Sequence, residues 1–407
     1  MRLGYLYSRY PVLSQTFCDT EMLELERRGF EVVVASMYPP KTPIRHEYLA
    51  NLQAKVHYAP EKRGLEDLVK RAKRKGRWPE PLIADHERKY GPEYKAALRA
   101  RNALFFVDLF EREDVEHIHV HFANRAAHTA LFVKAISGIP FSVTAHGQDF
   151  MTDLGNAELL CEICAGAKFV GAETDFSRDL LAAQCPEAAD KVFRIYNGIA
   201  LRKFETAAPE ISTSGPVRLL SVGRLVQFKG FDVLIDACAE LRRRNLDFTC
   251  DIIGDGELRD ELQTRIVRRD LANNVTLSGE RSQDYVLHAF ASCDIFALAA
   301  IVDERGASYV FPTVIAEAMT SGKAVVSTTV AGVPELVADG ATGLLVAPRD
   351  AVALANAIER LIVDRPLREK FGRAGRERIE TNFTIEHTIE PLLQRFAAAA
   401  ARRNAVC

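Results

Sequence analysis

Short apolar runs alternate along the chain with longer segments whose apolar residues recur every three or four positions. The runs are typical of buried strands and the recurrence is typical of amphipathic helices, so the pattern predicts an α/β fold with parallel sheets. The strands predicted in the first half are LGYLY, EVVVAS, HIHVHF, FSVTAH, AKFVGA and VFRIY. Those predicted in the second half are VRLLSVG, FTCDIIG, NVTLSG, DIFALA and AVVST.

The alternation lapses between residues 203 and 216, where ETAAPEISTSGP is rich in Pro, Ser, Thr and Gly. Such a segment predicts a linker. A chain of 407 residues also exceeds what one core usually supports. We therefore expect two domains, residues 1–205 and 210–385. The segment from Glu61 to Arg112 is helical in pattern and highly charged, and it looks like an insertion in the first domain.

Composition narrows the class of protein. The 53 Lys and Arg balance 55 Asp and Glu, so no global charge favours a nucleic-acid partner. The first residues, MRLGYLYSRY, lack the apolar core of a signal peptide, and no later apolar run is long enough to span a membrane, which predicts a cytoplasmic protein. Of the eight cysteines, only Cys161 and Cys164 form a C-x-x-C pair, and we expect reduced thiols rather than a zinc or redox site.

Two cations stand in the stretch LLSVGRLVQFKGFDVLI, between a predicted strand and a helix that opens at Phe231. Turns of this kind gather at the carboxyl edge of a parallel sheet, where helix N-termini point free N–H groups at ligands. Arg224 and Lys229 would suit a phosphate there. The alternative is a solvated loop with two ordinary surface charges.

Two further stretches in the second half carry candidate ligand contacts. In DIIGDGELRDEL, Gly254 and Gly256 would let backbone N–H groups approach a ligand closely. In FPTVIAEAM, Pro312 stands near a helix start and Glu317 lies about one turn in, where a carboxylate could hold the hydroxyls of a ribose. The alternative for Glu317 is that it only complements the helix dipole.

The order of these motifs resembles one enzyme family. GRLVQFKG, IIGDGEL, FPTVIAEAM and GKAVVSTTVAGVPELVADGATGLLV resemble the donor half of retaining family-four glycosyltransferases with the GT-B fold. YPVLSQTF, HFANRAAHTA, TAHGQDF and IYNGIALRKF resemble the acceptor half, so the resemblance covers essentially the whole chain. The branch that builds bacterial exopolysaccharides such as colanic acid is the most similar.

This resemblance implies two Rossmann-like domains facing across a cleft, with residues 1–205 on the acceptor side and residues 210–385 binding the donor. A C-terminal helix at about 386–407 would pack back on the first domain. The implied reaction is retaining transfer of a sugar from a nucleotide sugar to a saccharide or lipid-linked saccharide. UDP is the default nucleotide and GDP stays open, and neither a metal nor a cofactor is expected because the chain contains no D-x-D.

The resemblance also implies roles for individual residues. The residues expected to act in catalysis are Arg224, Lys229, His146 and Glu317. The residues expected to bind the donor are Gly223, Gly254, Pro312, Thr313, Val314, Ser14, Gln15, Tyr309 and Glu304. The residues expected to bind the acceptor are His121 and Asp149. For His146 the alternative is a core histidine whose ring nitrogens are already satisfied.

One position departs from the family. Relatives carry a second glutamate eight residues before the one at Glu317, and here that position is Tyr309. A tyrosine can donate a hydrogen bond to a sugar but is uncharged at neutral pH. Three outcomes stay open: Glu304 fills the gap, Tyr309 selects a different sugar, or the protein binds the donor without transferring it.

Two other features have competing interpretations. The alternation of His117, His119 and His121 puts all three on one face of a strand, a spacing that can ligate zinc, but no further ligand is evident in the sequence. The basic stretch 61–78 could lie on an anionic membrane surface, or it could be a solvated helix that packs its few leucines on the domain. The rival functions are a nucleotide-sugar epimerase and a non-catalytic nucleotide-sugar binder.

Overall fold

The structure is a computed structural model that describes residues 1–12, 15–41, 47–204 and 215–404. It divides into two compact units. The first unit comprises Met1–Gly198 together with the chain from Thr388 onward, and the second is Ile199–His387. Ser14 and most of the predicted linker lie outside the described residues.

The first unit alternates strands with helices. Its strands are β1 (Arg2–Arg9), β2 (Glu31–Tyr38), β3 (Val56–Tyr58), β4 (His117–His121), β5 (Phe141–Ala145), β6 (Val170–Ala172) and β7 (Val192–Arg194). Its helices up to this point are α1 (Thr16–Arg27), α2 (Lys62–Arg74), α3 (Glu80–Tyr90), α4 (Ala96–Arg112), α5 (Arg125–Ser137), α6 (Ala157–Gly166) and α7 (Asp175–Gln184).

All seven strands form one parallel sheet in the order β3-β2-β1-β4-β5-β6-β7. The central strands β4 and β5 are buried along their whole length, as expected where helices cover both faces of a parallel sheet. Side chains fix where the helices begin. The Asn124 side chain accepts from the Ala126 N–H at the start of α5, and Thr174 and Ser177 form a capping box at the start of α7.

The second unit repeats this plan. Its strands are β8 (Val217–Val222), β9 (Phe248–Ile253), β10 (Val275–Gly279), β11 (Ile295–Ala297), β12 (Ala324–Thr328) and β13 (Gly343–Val346). Its helices are α8 (Phe231–Arg243), α9 (Arg259–Arg268), α10 (Gln283–Ser292), α11 (Thr313–Thr320), α12 (Val333–Leu336), α13 (Ala351–Val363) and α14 (Arg365–Asn382). The short helix α15 (Ile385–Thr388) leads into α16 (Glu390–Asn404), which belongs to the first unit.

The second sheet is also parallel, in the order β10-β9-β8-β11-β12-β13. After β8 the chain adds β9 and β10 toward one edge of the sheet, and after β11 it adds β12 and β13 toward the other edge. These two neighbours therefore flank a topological switch point, and in open α/β sheets ligands bind beyond the carboxyl ends of such strands. The first sheet has the equivalent point between β1 and β4.

The sequence pattern located the strands well. Every predicted strand run contains a strand, which confirms the parallel α/β architecture. The predictions missed β3 and β13, which are short strands at the edges of the two sheets.

The charged segment 61–112 forms α2, α3 and α4 rather than a separate insertion. Helix α4 packs against α5, and Ala100, Ala103, Phe106 and Phe110 on it belong to the core. The prediction of a simple insertion is therefore wrong for α4, because its apolar side chains fill one helical layer of the unit.

The cysteines also correct a prediction. Cys161 does not act with Cys164, because the structure joins it to Cys185 in a disulfide and leaves Cys164 buried and free. The expectation that Cys161 and Cys164 are reduced thiols is therefore wrong for Cys161 and confirmed for Cys164. In the described parts of the chain, no helix combines the length and the apolar character needed to cross a bilayer.

Candidate functional site

The turn after β8 holds both cations that the sequence singled out. A short 3-10 turn at Gln227–Lys229 ends at Gly230, and α8 begins at the next residue. Gly230 has a φ of 67°, and a Cβ there would lie 1.8 Å from the carbonyl oxygen of Ala299. Because any side chain at residue 230 would clash with that backbone, only glycine fits there. The turn can therefore pack tightly against the residues that follow β11.

Lys229 is buried, although Arg224 in the same turn is exposed. The Lys229 ammonium lies 2.9 Å from the centroid of the Tyr309 ring, and its stem packs on Gly223. Burial lowers the pKa of Lys229 well below its usual range, and the charge of Arg224 lowers it further. No carboxylate among the described residues forms an ion pair with Lys229. The turn therefore holds a cation without a counter-charge.

The predicted glycines make the turns after β8 and β9 pack backbone against backbone. A Cβ on Gly254 would lie 1.9 Å from the carbonyl oxygen of Gly223, and one on Gly256 would lie 2.5 Å from that of Leu225. The Leu225 N–H also donates to the backbone carbonyl oxygen of Asp255 at 3.0 Å. These contacts leave no room for side chains and bring the two turns together at the carboxyl edge of the sheet.

Helix α11 begins beside this turn. Pro312 is its N-cap residue, and Thr313 and Val314 are its first two residues, whose N–H groups have no partner within the helix by geometry. Glu317 is partly exposed one turn further on. Burial of its carboxyl raises the pKa of Glu317 to about 7, against the opposing charge of Lys203. A carboxyl at this place changes charge near neutral pH.

The loop after β11 carries both Tyr309 and Glu304. Glu304 is exposed and forms no ion pair with Lys229, whose ammonium lies against the Tyr309 ring. Asp303 shapes the loop, since its side chain accepts from the N–H groups of Arg305 and Ala307, both at 2.9 Å. The donor-binding role expected for Glu304 stays a prediction.

In the first unit, His146 follows β5 and has partners at both ring nitrogens. Its Nδ1 lies 2.7 Å from Glu173 Oε1, and its Nε2 lies 2.9 Å from His121 Nδ1. His121 Nε2 in turn lies 3.1 Å from Glu21 Oε1. The rings of Phe17 and Phe122 pack against His146 with centroids 4.5 and 4.7 Å away. As the alternative interpretation had it, His146 is a histidine whose ring nitrogens are already satisfied.

The two residues predicted to bind the acceptor lie beneath the surface. His121 is 1% exposed, and both of its ring nitrogens are engaged. Asp149 is 2% exposed, and its carboxylate accepts from the N–H groups of Ala123 and His146. Burial raises the pKa of Asp149 to about 6, against the charge of His146 and the two backbone N–H groups. Direct acceptor contact by His121 and Asp149 therefore has no support in this geometry, because these side chains tie β4, β5 and the following turn together.

Gln15 directly precedes α1, after β1, as expected for the first strand-to-helix turn. The three histidines of β4 do share one face, where the Ser142 hydroxyl contacts both His117 and His119 at 2.8 Å. The expectation that no further metal ligand lies nearby is wrong. Glu21, His119 and His121 place one potential ligand atom each within 4.8 Å of one another.

Sequence reasoning missed Glu21 and Glu173 altogether. Glu21 lies on the buried side of α1, and it meets His121 across 100 residues of sequence. Glu173 follows β6 and receives hydrogen bonds from His146 and from the Asn197 amide. Neither residue stands in a recognisable motif. The one available signal was a charged residue within an otherwise apolar helix face or strand end.

The chain matches two family descriptions in tandem. Residues 15–203 match "Glycosyltransferase Family 4", and residues 203–378 match "Glycosyl transferases group 1". Together these matches span both units except for their outermost segments.

Curated relatives match along nearly their whole length. The chain is 28% identical to "Amylovoran biosynthesis glycosyltransferase AmsK" of Erwinia amylovora, over 94% of this chain and 96% of the relative. It is 27% identical to "Putative colanic acid biosynthesis glycosyltransferase WcaL" of Escherichia coli K12, over 97% of this chain and 100% of the relative.

Solved structures share the fold. Anabaena HepE in complex with UDP has a TM-score of 0.73 at 19% identity, covering 98% of this chain and 100% of that one. Sucrose-phosphate synthase from Thermosynechococcus elongatus has a TM-score of 0.74 at 18% identity, covering 99% and 100%.

The unpaired cation of the β8 turn makes a prediction about stability. Lys229→Met keeps the length of the side chain and removes a desolvated charge, so we expect the free energy of unfolding to rise by about 1–3 kcal/mol at neutral pH. The unfolded chain binds the Lys229 proton more tightly than the folded protein does, so wild-type stability rises with pH up to about 10.4, the unfolded pKa of lysine. The advantage of the variant should therefore shrink as the pH approaches that value.

Denaturant unfolding at several pH values measures this difference. The exposed Arg224→Met is the matched control and should leave stability nearly unchanged. A destabilised Lys229→Met at neutral pH would show that the ammonium is already compensated in the free protein.

Proposed function

Because this chain belongs to the family-four glycosyltransferases of the GT-B fold, we propose that it transfers a sugar from a nucleotide-sugar donor with retention of configuration. The donor is a UDP-sugar by default, and the acceptor is a saccharide or lipid-linked saccharide in the synthesis of a bacterial exopolysaccharide. The AmsK and WcaL relatives are named for such polysaccharides, and the Anabaena HepE structure holds UDP. These names support the substrate class.

One observation carries the donor site. Lys229 is a buried cation with no ion-paired carboxylate among the described residues, and it lies beyond β8 at the switch point of the second sheet. A diphosphate would supply the missing negative charge, and the exposed Arg224 beside it would bind the same group. A solvated loop does not account for a lysine that is only 5% exposed.

The neighbouring turns suit the rest of a nucleotide. The helix-start N–H groups of Thr313 and Val314 would bind phosphate oxygens. Glu317 would accept hydrogen bonds from the two ribose hydroxyls. The N–H groups of Gly223 and Gly254 already donate to the carbonyl oxygens of Ile253 and Gly279 at 2.9 Å, so these glycines would shape the turns rather than bind the phosphates through their N–H groups.

In this site the leaving diphosphate itself would take the proton of the attacking hydroxyl on the same face of the sugar. The protein then supplies position and charge rather than a nucleophile. Arg224 and Lys229 would stabilise the negative charge that grows on the diphosphate as the bond to the sugar breaks. Two cations can do this without a metal, so we propose a metal-independent reaction.

Tyr309 would replace the family glutamate with a neutral ring. Its contact with Lys229 supports a position beside the bound donor. The ring would stabilise the ammonium through its π face until a diphosphate arrives. Since it offers no negative charge to the sugar, we propose that it alters which sugar the site accepts.

The comparisons give the epimerase alternative no support. A non-catalytic binder would use the same donor site, and only an assay with an acceptor separates it from a transferase.

The basic segment 61–78 contributes charge rather than an inserting face. Leu65 and Ala72 are buried, and Leu68 and Trp78 pack against the core of the first unit. Its remaining Lys and Arg side chains would support only electrostatic attraction to an anionic membrane.

The donor-site proposal predicts the effect of removing either cation. Lys229→Met and Arg224→Met should each lower the rate of sugar transfer by two or more orders of magnitude, or about 3 kcal/mol of charge stabilisation. The assay uses UDP-sugars, saccharide acceptors and excess EDTA. Arg268→Met, at an exposed position of α9, is the matched control and should transfer at the wild-type rate.

Full activity in either cation variant would contradict the donor site. Activity that requires a divalent ion would contradict the metal-free mechanism. Turnover of donor without acceptor would favour the epimerase, and donor binding without any transfer would favour the non-catalytic binder.

Glu317 predicts a pH dependence. Its carboxyl has a pKa of about 7, so it should hold ribose hydroxyls better once ionised. The affinity for UDP should therefore rise between about pH 6 and pH 8 in wild type. Glu317→Gln cannot ionise and should lose that part of the rise, whereas the titration of UDP itself affects both proteins equally. Calorimetric titration measures the UDP affinity at each pH. Parallel pH profiles of that affinity in wild type and Glu317→Gln would rule out a role of Glu317 in binding the ribose.

A further inference from the structure

The carboxyl edge of the first sheet carries two arginines without a counter-charge. Arg99 lies near the start of α4, and Arg125 is the first residue of α5. Because α4 leads into β4, α5 leaves it, and the two helices pack against each other, both helix starts lie at this edge. No Asp or Glu within the described parts of the chain forms an ion pair with either arginine.

Arg99 is half-buried, whereas Arg125 is exposed. The Nε of Arg99 is enclosed and has no hydrogen-bond partner in the described chain. Partial burial lowers the pKa of the Arg99 guanidinium, and the charge of Arg125 lowers it further. Burial, His86 and the charge of Arg99 together lower the pKa of His128 to about 3. Since His128 stands one turn after Arg125, Arg99 lies beside the first turns of α5.

The dipoles of both helices add to this positive charge. The N-terminus of a helix carries a partial positive charge, which acidic residues in the first turn usually offset. Neither α4 nor α5 has an acidic residue there. The N-cap residue of α4 is a third cation, the exposed Lys95, and no side chain caps the first N–H groups of this helix. The edge therefore concentrates positive charge around the half-buried guanidinium.

The C-terminal half of α4 shows a different arrangement. There Asp108 pairs with Arg71 at 2.6 Å, and Glu111 pairs with Arg77 at 2.5 Å. A helix C-terminus favours cations by its own dipole. The arginines around α4 are thus paired where the dipole already stabilises them and unpaired where it does not. This contrast argues against an ordinary solvated surface at the start of α4.

Two polar side chains stand near Arg99. Asn102 is 2% exposed, and its Oδ1 has no hydrogen-bond partner among the residues that the structure describes. It follows Arg99 by three positions, so the two share one face of α4. Tyr38, the last residue of β2, is 47% exposed, and its charge interaction with Arg99 shows that it lies nearby. The three side chains match an anionic sugar, which offers an oxyanion to Arg99 and hydroxyls to Asn102 and Tyr38.

Taking the transferase function above as given, we propose that Arg99 and Arg125 bind an oxyanion of the acceptor, either the carboxylate of an acidic sugar or a phosphate of its lipid carrier. Arg99 would pair with the oxyanion from the enclosed side, and Arg125 would do so from the solvent side. The first N–H groups of α5 would face the same ligand. This subsite takes the role that the sequence assigned to the buried His121 and Asp149.

Equilibrium binding to the full-length protein tests the subsite without any transfer. The probes are methyl glucuronide, its neutral counterpart methyl glucoside, and inorganic phosphate, each added in the presence of saturating UDP so that the donor site is filled. We expect methyl glucuronide or phosphate to bind wild type about tenfold or more tightly than methyl glucoside does. Arg99→Gln and Arg125→Gln should each remove most of that difference.

Arg101→Gln is the matched control. The Nε of Arg101 is also enclosed without a partner in the described chain, but two positions after Arg99 it lies on a different face of α4. This variant should bind the probes as wild type does. Because Arg125 is exposed, Arg125→Gln keeps the test decisive if Arg99→Gln does not fold.

Transfer to matched acceptors identifies the source of the oxyanion. One pair is an oligosaccharide that ends in glucuronic acid and its carboxyl-reduced form, and the other is an oligosaccharide with and without a prenyl diphosphate. In wild type the KM should be about tenfold lower for the charged member of one pair. Arg125→Gln should raise that KM to the neutral value and leave the KM for the donor unchanged. A merely structural role would alter transfer to both members alike.

Equal binding of methyl glucuronide, phosphate and methyl glucoside to wild type would overturn the proposal. So would a preference for the anions that survives in both arginine variants, or one that Arg101→Gln abolishes equally. An absence of transfer to every acceptor, with the arginine-dependent binding intact, would count against the transferase function alone.

Discussion

The second unit depends on one constraint, an ammonium group that is buried without a counter-ion among the described residues. Burying the charged Lys229 ammonium away from water costs several kcal/mol of folding free energy unless an anion or aromatic faces replace the lost hydration. The Tyr309 ring supplies part of that replacement. Gly230 makes possible the tight turn that holds the lysine in place. In the function we propose, the diphosphate of the donor supplies the rest.

The first unit meets the same physical problem in a different way. Its buried charges are compensated internally, since Glu21 and Glu173 bracket the imidazole pair and backbone N–H groups satisfy Asp149. One unit thus leaves a buried charge without a carboxylate partner among the described residues, while the other pairs its fully buried charges internally. The transferase we propose uses the unpaired charge to bind the diphosphate.

The sequence was sufficient to predict the architecture, because long apolar runs determine buried parallel strands and glycine-rich turns follow them. It also located Arg224 and Lys229 in a strand-to-helix turn and Glu317 in α11. It could not show that Lys229 is buried or that Tyr309 covers it, since that contact joins two loops far apart in sequence. For the same reason the sequence did not reveal the roles of Glu21 and Glu173 or the Cys161–Cys185 disulfide. It also led to the assignment of His121 and Asp149 to acceptor binding, a role that their burial does not support. Spacing within a motif predicts a local turn, but not a partner from another element.

Proton uptake on nucleotide binding tests the role of Lys229 most directly. Calorimetric titration of UDP at several pH values from about 8 to about 10, in pairs of buffers of different ionisation enthalpy, counts the protons exchanged on binding. Glu317, with its pKa of about 7, is already ionised under these conditions. A diphosphate that pairs with Lys229 raises its lowered pKa, so within this pH range we expect wild type to take up a fraction of a proton, up to about one, per UDP bound, and Lys229→Met to take up none. Binding of UDP to wild type with the same enthalpy in both buffers at every pH would contradict the pairing of the diphosphate with Lys229.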